Sequence, residues 1–371
     1  MSKTNTAILY ILIFIFTTFF SILSQRNGKR FNVKWFLLSF VIHWAFLAFT
    51  QIGSDYPAYY NNILHSSLSK VNVLSEPGFE ILSCFLQYIT GNPHIAILIL
   101  KTLTLIIFYT GFFISRDDVA IWMSVLAYNV LLYLQGFYLL SEQIAIAVLA
   151  LSYIYLSKKM TLKAVLFLFI ACTLHTMCFL FVPIYIMVFF VGKKGYISIY
   201  KKTLIFLIYF VVIVGFAKIY TYLVSNIAVF QKYGRYALLS GGDSIGLLTI
   251  FTFSVLSYFV FILNRNSNDY GVNNTAFVFT ASAFLYAILS YRVSTLLRIN
   301  AAFIGIYAYS IPYLFRNRKD HELYGNRYVM TYRSDVFVWT LFLFIRGVIN
   351  LQTYMVSTSS GISNYIFSWP F

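Results

Sequence analysis

The sequence predicts an all-α polytopic membrane protein of about twelve crossings, from spanning-length apolar runs, scarce charge, and basic loops that fall on one side. Of its 371 residues, 60% are hydrophobic and only 10% charged, and the mean hydropathy is +0.78. Soluble domains carry roughly 25% charged residues, so this chain has too little polar surface to live in water. Lipid obliges a backbone to satisfy its own hydrogen bonds, and the runs lack the two-residue alternation of a barrel, so they read as helices.

The spans run Ala7–Leu23, Trp35–Ile52, Pro93–Ser115, Val119–Leu139, Glu142–Leu156, Thr203–Val224, Gly246–Leu263, Thr275–Ser290, Ile299–Phe315 and Val336–Leu351. Several are shorter than the roughly 20 residues that cross a bilayer, which implies tilt or local thinning. The first run follows Lys3, lacks a small-x-small cleavage site and leads directly into a basic loop, so it reads as a retained span. Arg26, Lys29, Arg30 and Lys34 place the first loop in the cytoplasm. Lys158, Lys159 and Lys163 do so for the loop after Leu156, and Arg316, Arg318, Lys319, Arg327 and Arg333 for the last long loop. Ala164–Val191 is apolar yet basic at both flanks, so it reads as a broken hairpin over 164–191, turning near His175 with Pro183 permitting a kink. With that hairpin every loop agrees and both termini lie outside. A short helix at 78–90 reads as interfacial or re-entrant. The whole chain, 1–371, is a single transmembrane domain with outer-face loops 53–92, 225–245 and 291–298 and an outer tail 352–371.

The net charge of +16 comes from 27 Lys+Arg against 11 Asp+Glu. It sits in short loops, where orientation accounts for it, and no basic stretch is long enough to fold as a nucleic-acid module. Cys84, Cys172 and Cys178 lie in apolar runs without metal-ligand spacing, so no metal is expected. The sequence has no Walker loop, dinucleotide glycine fingerprint or Gly-x-Ser-x-Gly elbow, so no cofactor is expected, and ATP-driven transport and redox chemistry lose support.

Charges beside the membrane on the outer side are few and therefore informative. In Gly53-Ser54-Asp55-Tyr56-Pro57-Ala58-Tyr59-Tyr60, a carboxylate precedes Tyr56, Tyr59 and Tyr60. Such a group suits a sugar, whose C–H faces stack on rings while its hydroxyls need acceptors; an interfacial tyrosine belt is the plainer alternative. Glu76 reads as a helix cap. Glu142 opens a helix at the next outer turn, where it serves either the helix dipole or as an outward-facing base. His175 stands at the embedded turn, as a hydrogen-bonded core histidine or a proton carrier. Arg235, with Tyr236 beside it, Arg292 and Arg298 break the positive-inside pattern. Guanidinium forks bind phosphate bidentately, so a lipid diphosphate is the natural ligand, with headgroup contact or an ion pair as the alternative. Arg346 and Lys101, inside apolar spans, read as snorkelling or internally paired.

Gly53-Ser54-Asp55-Tyr56 with Tyr59-Tyr60, Glu76-Pro77-Gly78-Phe79, Gln143-Ile144-Ala145, Leu174-His175, Lys232-Tyr233-Gly234-Arg235-Tyr236 and the terminal Trp369-Pro370-Phe371 resemble, in order over most of the chain, the EpsG-like branch of bacterial polysaccharide polymerases of the Wzy type. Two positions depart from that pattern. The family commonly carries Arg-Gln where this chain has Glu142-Gln143, and its tail ends nearer Pro-Tyr. The resemblance implies glycosyl transfer at the outer face of the bacterial inner membrane. A growing glycan on undecaprenyl diphosphate would pass to the non-reducing end of a new lipid-linked repeat unit, with both glycans and the bilayer as partners and room for a chain-length regulator protein. The acceptor hydroxyl needs a base, and Glu142, Asp55 or His175 could serve. A lipid-linked oligosaccharide flippase and a glycan ligase are the competing readings.

Overall fold

The computed structural model describes residues 2–25, 31–71, 76–192, scattered positions between 200 and 226, and then 247–265, 270–290, 297–316, 325–356 and 360–368. Among the described residues there are thirteen α-helices: α1 (Lys3–Ser24), α2 (Val33–Ala48), α3 (Tyr56–Leu64), α4 (Pro77–Thr90), α5 (Pro93–Ile114), α6 (Ile121–Leu131), α7 (Leu140–Ser157), α8 (Thr161–Leu174), α9 (Val182–Gly192), α10 (Leu247–Arg265), α11 (Tyr270–Ser290), α12 (Leu297–Arg316) and α13 (Gly325–Val356). Four stretches are long and apolar enough to cross a bilayer: α1, α5, α7 and the Ser334–Val356 part of α13. Shorter apolar helices accompany them. The chain is thus a multi-pass membrane protein, helical throughout its regular elements among the described residues.

Two compact units are distinct, one of Met1–Thr176 with His321–Phe371 and one of Met177–Asp320. In the first, α7 is the axis, with 89% of its apolar window buried against 28% for α1. Small residues let neighbours close on it: Ala145, Ala147 and Ala150 are buried, and Ser152 Oγ donates to Ala164 O of α8 at 2.5 Å.

The outer helices are apolar outside and polar inside. On α1 the buried positions are Thr6, Tyr10, Ile13, Thr17, Ser21 and Ser24, spaced three or four apart on one face, while Ile8, Ile15, Phe16 and Phe19 are exposed. In water that apolar face would be an aggregation hazard; in lipid it is the solvated surface. The polar stripe joins a buried network. Ser39 Oγ of α2 lies 2.8 Å from Tyr109 OH of α5 and donates to Thr17 O at 2.9 Å, and His43 Nδ1 lies 2.7 Å from the same phenol. His43 Nε2 meets Asn129 Oδ1 of α6, and Asn129 Nδ2 donates to Thr17 Oγ1 at 2.9 Å and Thr18 Oγ1 at 3.2 Å. Because an amide oxygen only accepts, this wiring requires a proton on His43 Nε2.

The loops of this unit separate onto two ends, as their charges predict. At one end Gln25 Nε2 donates to Arg116 O at 2.6 Å and Val119 O at 3.0 Å, and Lys158 pairs with Asp118. At the other, the tail folds over the start of α1 and the end of α2. Tyr365 N donates to Thr6 Oγ1 at 3.0 Å, Tyr10 OH to Ile362 O at 3.1 Å, and Ser368 N to Phe49 O at 3.0 Å.

Three local features differ from the sequence expectation. The outer loop contains a helix, α3, because Pro57 in its first turn and the following Ala-Tyr-Tyr favour one. The span ending at Leu139 leaves α-geometry at Leu131 and finishes as a 3₁₀ turn over Tyr133–Phe137. The last helix begins at Gly325, so Arg327 and Arg333 lie on it and not in a loop. The segment 164–191 does break at His175, whose backbone is extended at φ −152 and ψ 129, and a 3₁₀ turn, Thr176–Phe181, follows. Pro183 falls in the first turn of α9, a position helices tolerate, and starts a helix where a kink was expected.

In the second unit α11 packs on α9, with Asn274 Nδ2 donating to Val191 O at 3.3 Å and Tyr286 OH to Leu180 O at 3.3 Å. Phe181, Phe253, Phe279 and Phe303 fill its core.

Asn129→Leu removes the acceptor of His43 and the donor to Thr17, and is expected to cost about 1–2 kcal/mol. Thermal unfolding of the detergent-solubilised protein checks this: the midpoint drops for Asn129→Leu and stays unchanged for Leu12→Ala on the lipid face.

Candidate functional site

Of the residues singled out in the sequence, Asp55, Tyr56, Tyr59, Tyr60, Glu142 and His175 lie in the first unit, at the end that holds the tail. Gly53 adopts φ +118, and a Cβ there would lie 2.7 Å from Phe137 O, so only glycine lets the chain turn against the 3₁₀ segment. Ser54 N then donates to Ser360 O of the tail at 2.9 Å, and Ser54 Oγ to Asp55 Oδ1 at 3.1 Å. Asp55 is half-buried at the entry to α3 and makes no side-chain cap.

The three tyrosines of α3 do different things. Tyr56 is buried, its hydroxyl 2.6 Å from His94 Nδ1 and its ring stacked on the imidazole. Tyr60 holds the same imidazole at a centroid distance of 4.5 Å. Beneath them Lys101 is fully buried, donating to Thr50 O at 2.9 Å and Thr50 Oγ1 at 3.1 Å, with its ammonium 5.6 Å from the Tyr56 ring centre. The expected internal pairing of Lys101 is therefore with carbonyl, hydroxyl and ring faces. Tyr59 reaches α7 instead: its hydroxyl accepts from Ser141 N at 3.4 Å and lies 3.3 Å from Ser141 Oγ, supplying a partner to an orphan N–H in the first turn.

His175 ends α8 and faces Glu76, at the entry to α4, with Nε2 3.4 Å from Oε1. The side chains are 7% and 26% exposed, so the contact is sheltered but reachable from the carboxylate side. Gly78 makes this approach possible, since a Cβ there would come within 2.9 Å of Thr173 Cβ on α8. Glu76 was expected to cap α4, yet its side chain makes no cap hydrogen bond.

Glu142 lies in the first turn of α7, the position the helix dipole favours, and is 3% exposed. Close by, Tyr138 OH lies 3.4 Å from Tyr354 OH of α13, and Gln143 Nε2 donates to Gln135 Oε1 at 3.2 Å. The carboxylates share neighbours. Burial raises the Tyr59 phenol, hydrogen bonds with Ser141 pull it back, and Glu76 and Asp55 push it up. Asp55 and Glu142 both act on Tyr138, and Glu142 also acts on Tyr354. Asp55, Glu76 and Glu142 thus bracket one set of phenols, with His175 against Glu76. Chemically the group offers a carboxylate-supported imidazole, two further carboxylates and several phenolic donors.

Arg298 sits in the first turn of α12, and its side chain lies outside the described residues, as do Arg235, Tyr236 and Arg292. Among the described residues no group of three His, Cys, Asp or Glu side chains is arranged to hold a metal ion.

The sequence model of the EpsG family matches residues 33–367. The chain belongs to the EpsG family. That family is associated with exopolysaccharide biosynthesis. No curated protein and no solved structure matches the chain.

In this EpsG-family protein, sequence reasoning missed Glu76 as the partner of His175. It also missed the Tyr138–Tyr354 pair. Each contact joins residues far apart in the chain, and the one local signal was Pro77-Gly78, whose glycine permits the close packing of α4 on α8.

Gly53→Ala is expected to strain the turn by about 1–3 kcal/mol. A thermal midpoint lowered for Gly53→Ala but not for Ser54→Ala, whose hydroxyl is exposed, is the check.

Proposed function

We propose that this EpsG-family protein is a polysaccharide polymerase, a glycosyltransferase joining undecaprenyl-diphosphate-linked repeat units at the outer face of the bacterial inner membrane. It would cross the membrane about twelve times, with the segment 164–191 as a hairpin and α4 at the interface. The observation that carries the reading is the Glu76–His175 pair, set beside Asp55 and Glu142 at one end of the bundle. The opposite end carries the Lys158–Asp118 pair and the basic loops that orientation predicts.

In this reading His175, supported by Glu76, takes the proton of the acceptor sugar's hydroxyl. That oxygen bonds to the anomeric carbon of the growing glycan as the bond to the carrier's diphosphate breaks, and undecaprenyl diphosphate departs as the anion. Glu142 and Asp55 remain alternative bases. Tyr56, Tyr59 and Tyr60 keep the sugar-binding role that sequence suggests, and Arg292 and Arg298, with Arg235 and Tyr236, the diphosphate role. A chain-length regulator would act from the same outer side.

Carbohydrate analysis of a deletion strain tests the reading. The expected result is loss of polymer, with single repeat units on their lipid carrier in the outer leaflet. Accumulation in the inner leaflet would indicate a flippase, and polymer left on its carrier a ligase. His175→Gln is expected to slow chain extension about 10²–10⁴-fold with the protein still present in the membrane, and Glu76→Gln to slow it less. Normal ladders from both variants would remove the pair from the chemistry.

A further inference from the structure

Arg346 is the residue whose surroundings ask for something the chain does not supply. It lies in the apolar Ser334–Val356 part of α13, among Phe344, Ile345 and Val348, which are exposed toward lipid. Snorkelling was one expectation for it, and that would carry the guanidinium to water at the membrane edge. Instead, among the described residues, its buried Nε and Nη1 have no hydrogen-bond partner and it forms no ion pair. Internal pairing, the other expectation, is missing as well. A cation with buried, unpaired donors is costly, more so in lipid, and such residues within spans mark ligand or ion sites.

Its position says where that something comes from. Arg346, Asn350 and Tyr354 are spaced by four and share one face of α13. Asn350 Nδ2 donates to Val130 O of α6 at 2.8 Å, and Gly347 approaches Val130 so closely that a Cβ would lie 3.3 Å from it. The face is therefore turned into the first unit. Tyr354 is bonded to Tyr138 and Gln135, and both Arg346 and Glu142 lie within its electrostatic reach. Along this stripe the amide and the phenol are committed, and the guanidinium keeps unused donors on the same face.

We infer that Arg346 binds a phosphate group of a lipid. Given the polymerase reading, on which this identification rests, the group belongs to the diphosphate of the polyprenyl carrier. A guanidinium presents parallel N–H donors that match two phosphate oxygens, and sheltered from water such a contact is stronger than at an open surface. About two helical turns from Tyr354 on the same face, it holds the diphosphate within the span and stabilises the negative charge that grows there as the sugar–phosphate bond breaks.

Binding to the purified full-length protein in detergent tests this, with a short-chain polyprenyl diphosphate as probe and phosphatidylglycerol as the headgroup control. Arg346→Gln is expected to weaken the diphosphate at least tenfold and Arg346→Lys to fall between, since an ammonium keeps the charge but loses the fork. Phosphatidylglycerol binding holds for both, and the thermal midpoint without lipid does not fall for either, rising for Arg346→Gln as the unpaired charge is removed. Unchanged diphosphate affinity in both variants overturns the inference, and so does an equal loss for phosphatidylglycerol, which would make Arg346 a headgroup anchor. Should Arg346→Gln not fold, the Arg346→Lys affinities decide by the same criteria. Surface glycan separates the two readings. Wild-type diphosphate affinity and wild-type chain lengths in both variants sink the Arg346 role alone. Selective loss of diphosphate binding in the variants, beside a deletion strain that still makes polymer, keeps Arg346 and sinks the polymerase.

Discussion

Lipid offers no hydrogen-bond partner, and the first unit is organised by that constraint. Its polar groups have to meet one another, so α1 and α2 turn Thr17, Ser21, Ser39 and His43 inward onto Tyr109 and Asn129 and leave Ile8, Ile15, Phe16 and Phe19 of α1 and Leu37 and Val41 of α2 outside. The network fixes how α1, α2, α5 and α6 sit together. With those helices in place, α7 is enclosed on its small-residue faces and its first turn is held at the end where the tail and the 53–92 loop lie. The candidate site is built on that held turn: Tyr59 bonds Ser141, and Glu142 follows one residue later.

The polar groups at that end divide into those already satisfied and those available. Tyr56, His94 and Lys101 are used up in a stacked, hydrogen-bonded foundation under the loop. The Glu76–His175 contact, at 3.4 Å, is longer than a tight hydrogen bond, and its carboxylate side is partly exposed. Arg346 has unused donors altogether. A packed, hydrogen-bonded foundation under the loop is what a site needs if its geometry is to survive binding.

The apolar helical character, the position of most described helices, the separation of the first unit's loops onto two ends and the break at His175 were legible in the sequence, because each depends on composition or charge along a short stretch. The broken segment was read from basic flanks alone, and the extended backbone at His175 is where that reasoning placed the turn. Which face of a helix packs was much harder to read. In α7 and α8 both lipid and core are apolar, so periodicity carries little signal, and α7 is buried nearly all round. The early start of α13 was hidden because its first turns, Gly325 to Arg333, are polar and read as loop. Glu76 was seen as a cap since proline follows it; that it meets His175 depends on α4 packing against α8, a contact across much of the chain. Arg346 was visible as a charge in a span, but its lack of a partner is a property of the packed structure.

The most direct measurement is reconstitution. Purified protein in liposomes, given a lipid-linked repeat unit of its own host, is predicted to convert it into a ladder of longer lipid-linked glycans, releasing one polyprenyl diphosphate for each repeat joined. Movement of the intact unit between leaflets with no ladder and no released diphosphate would contradict the account.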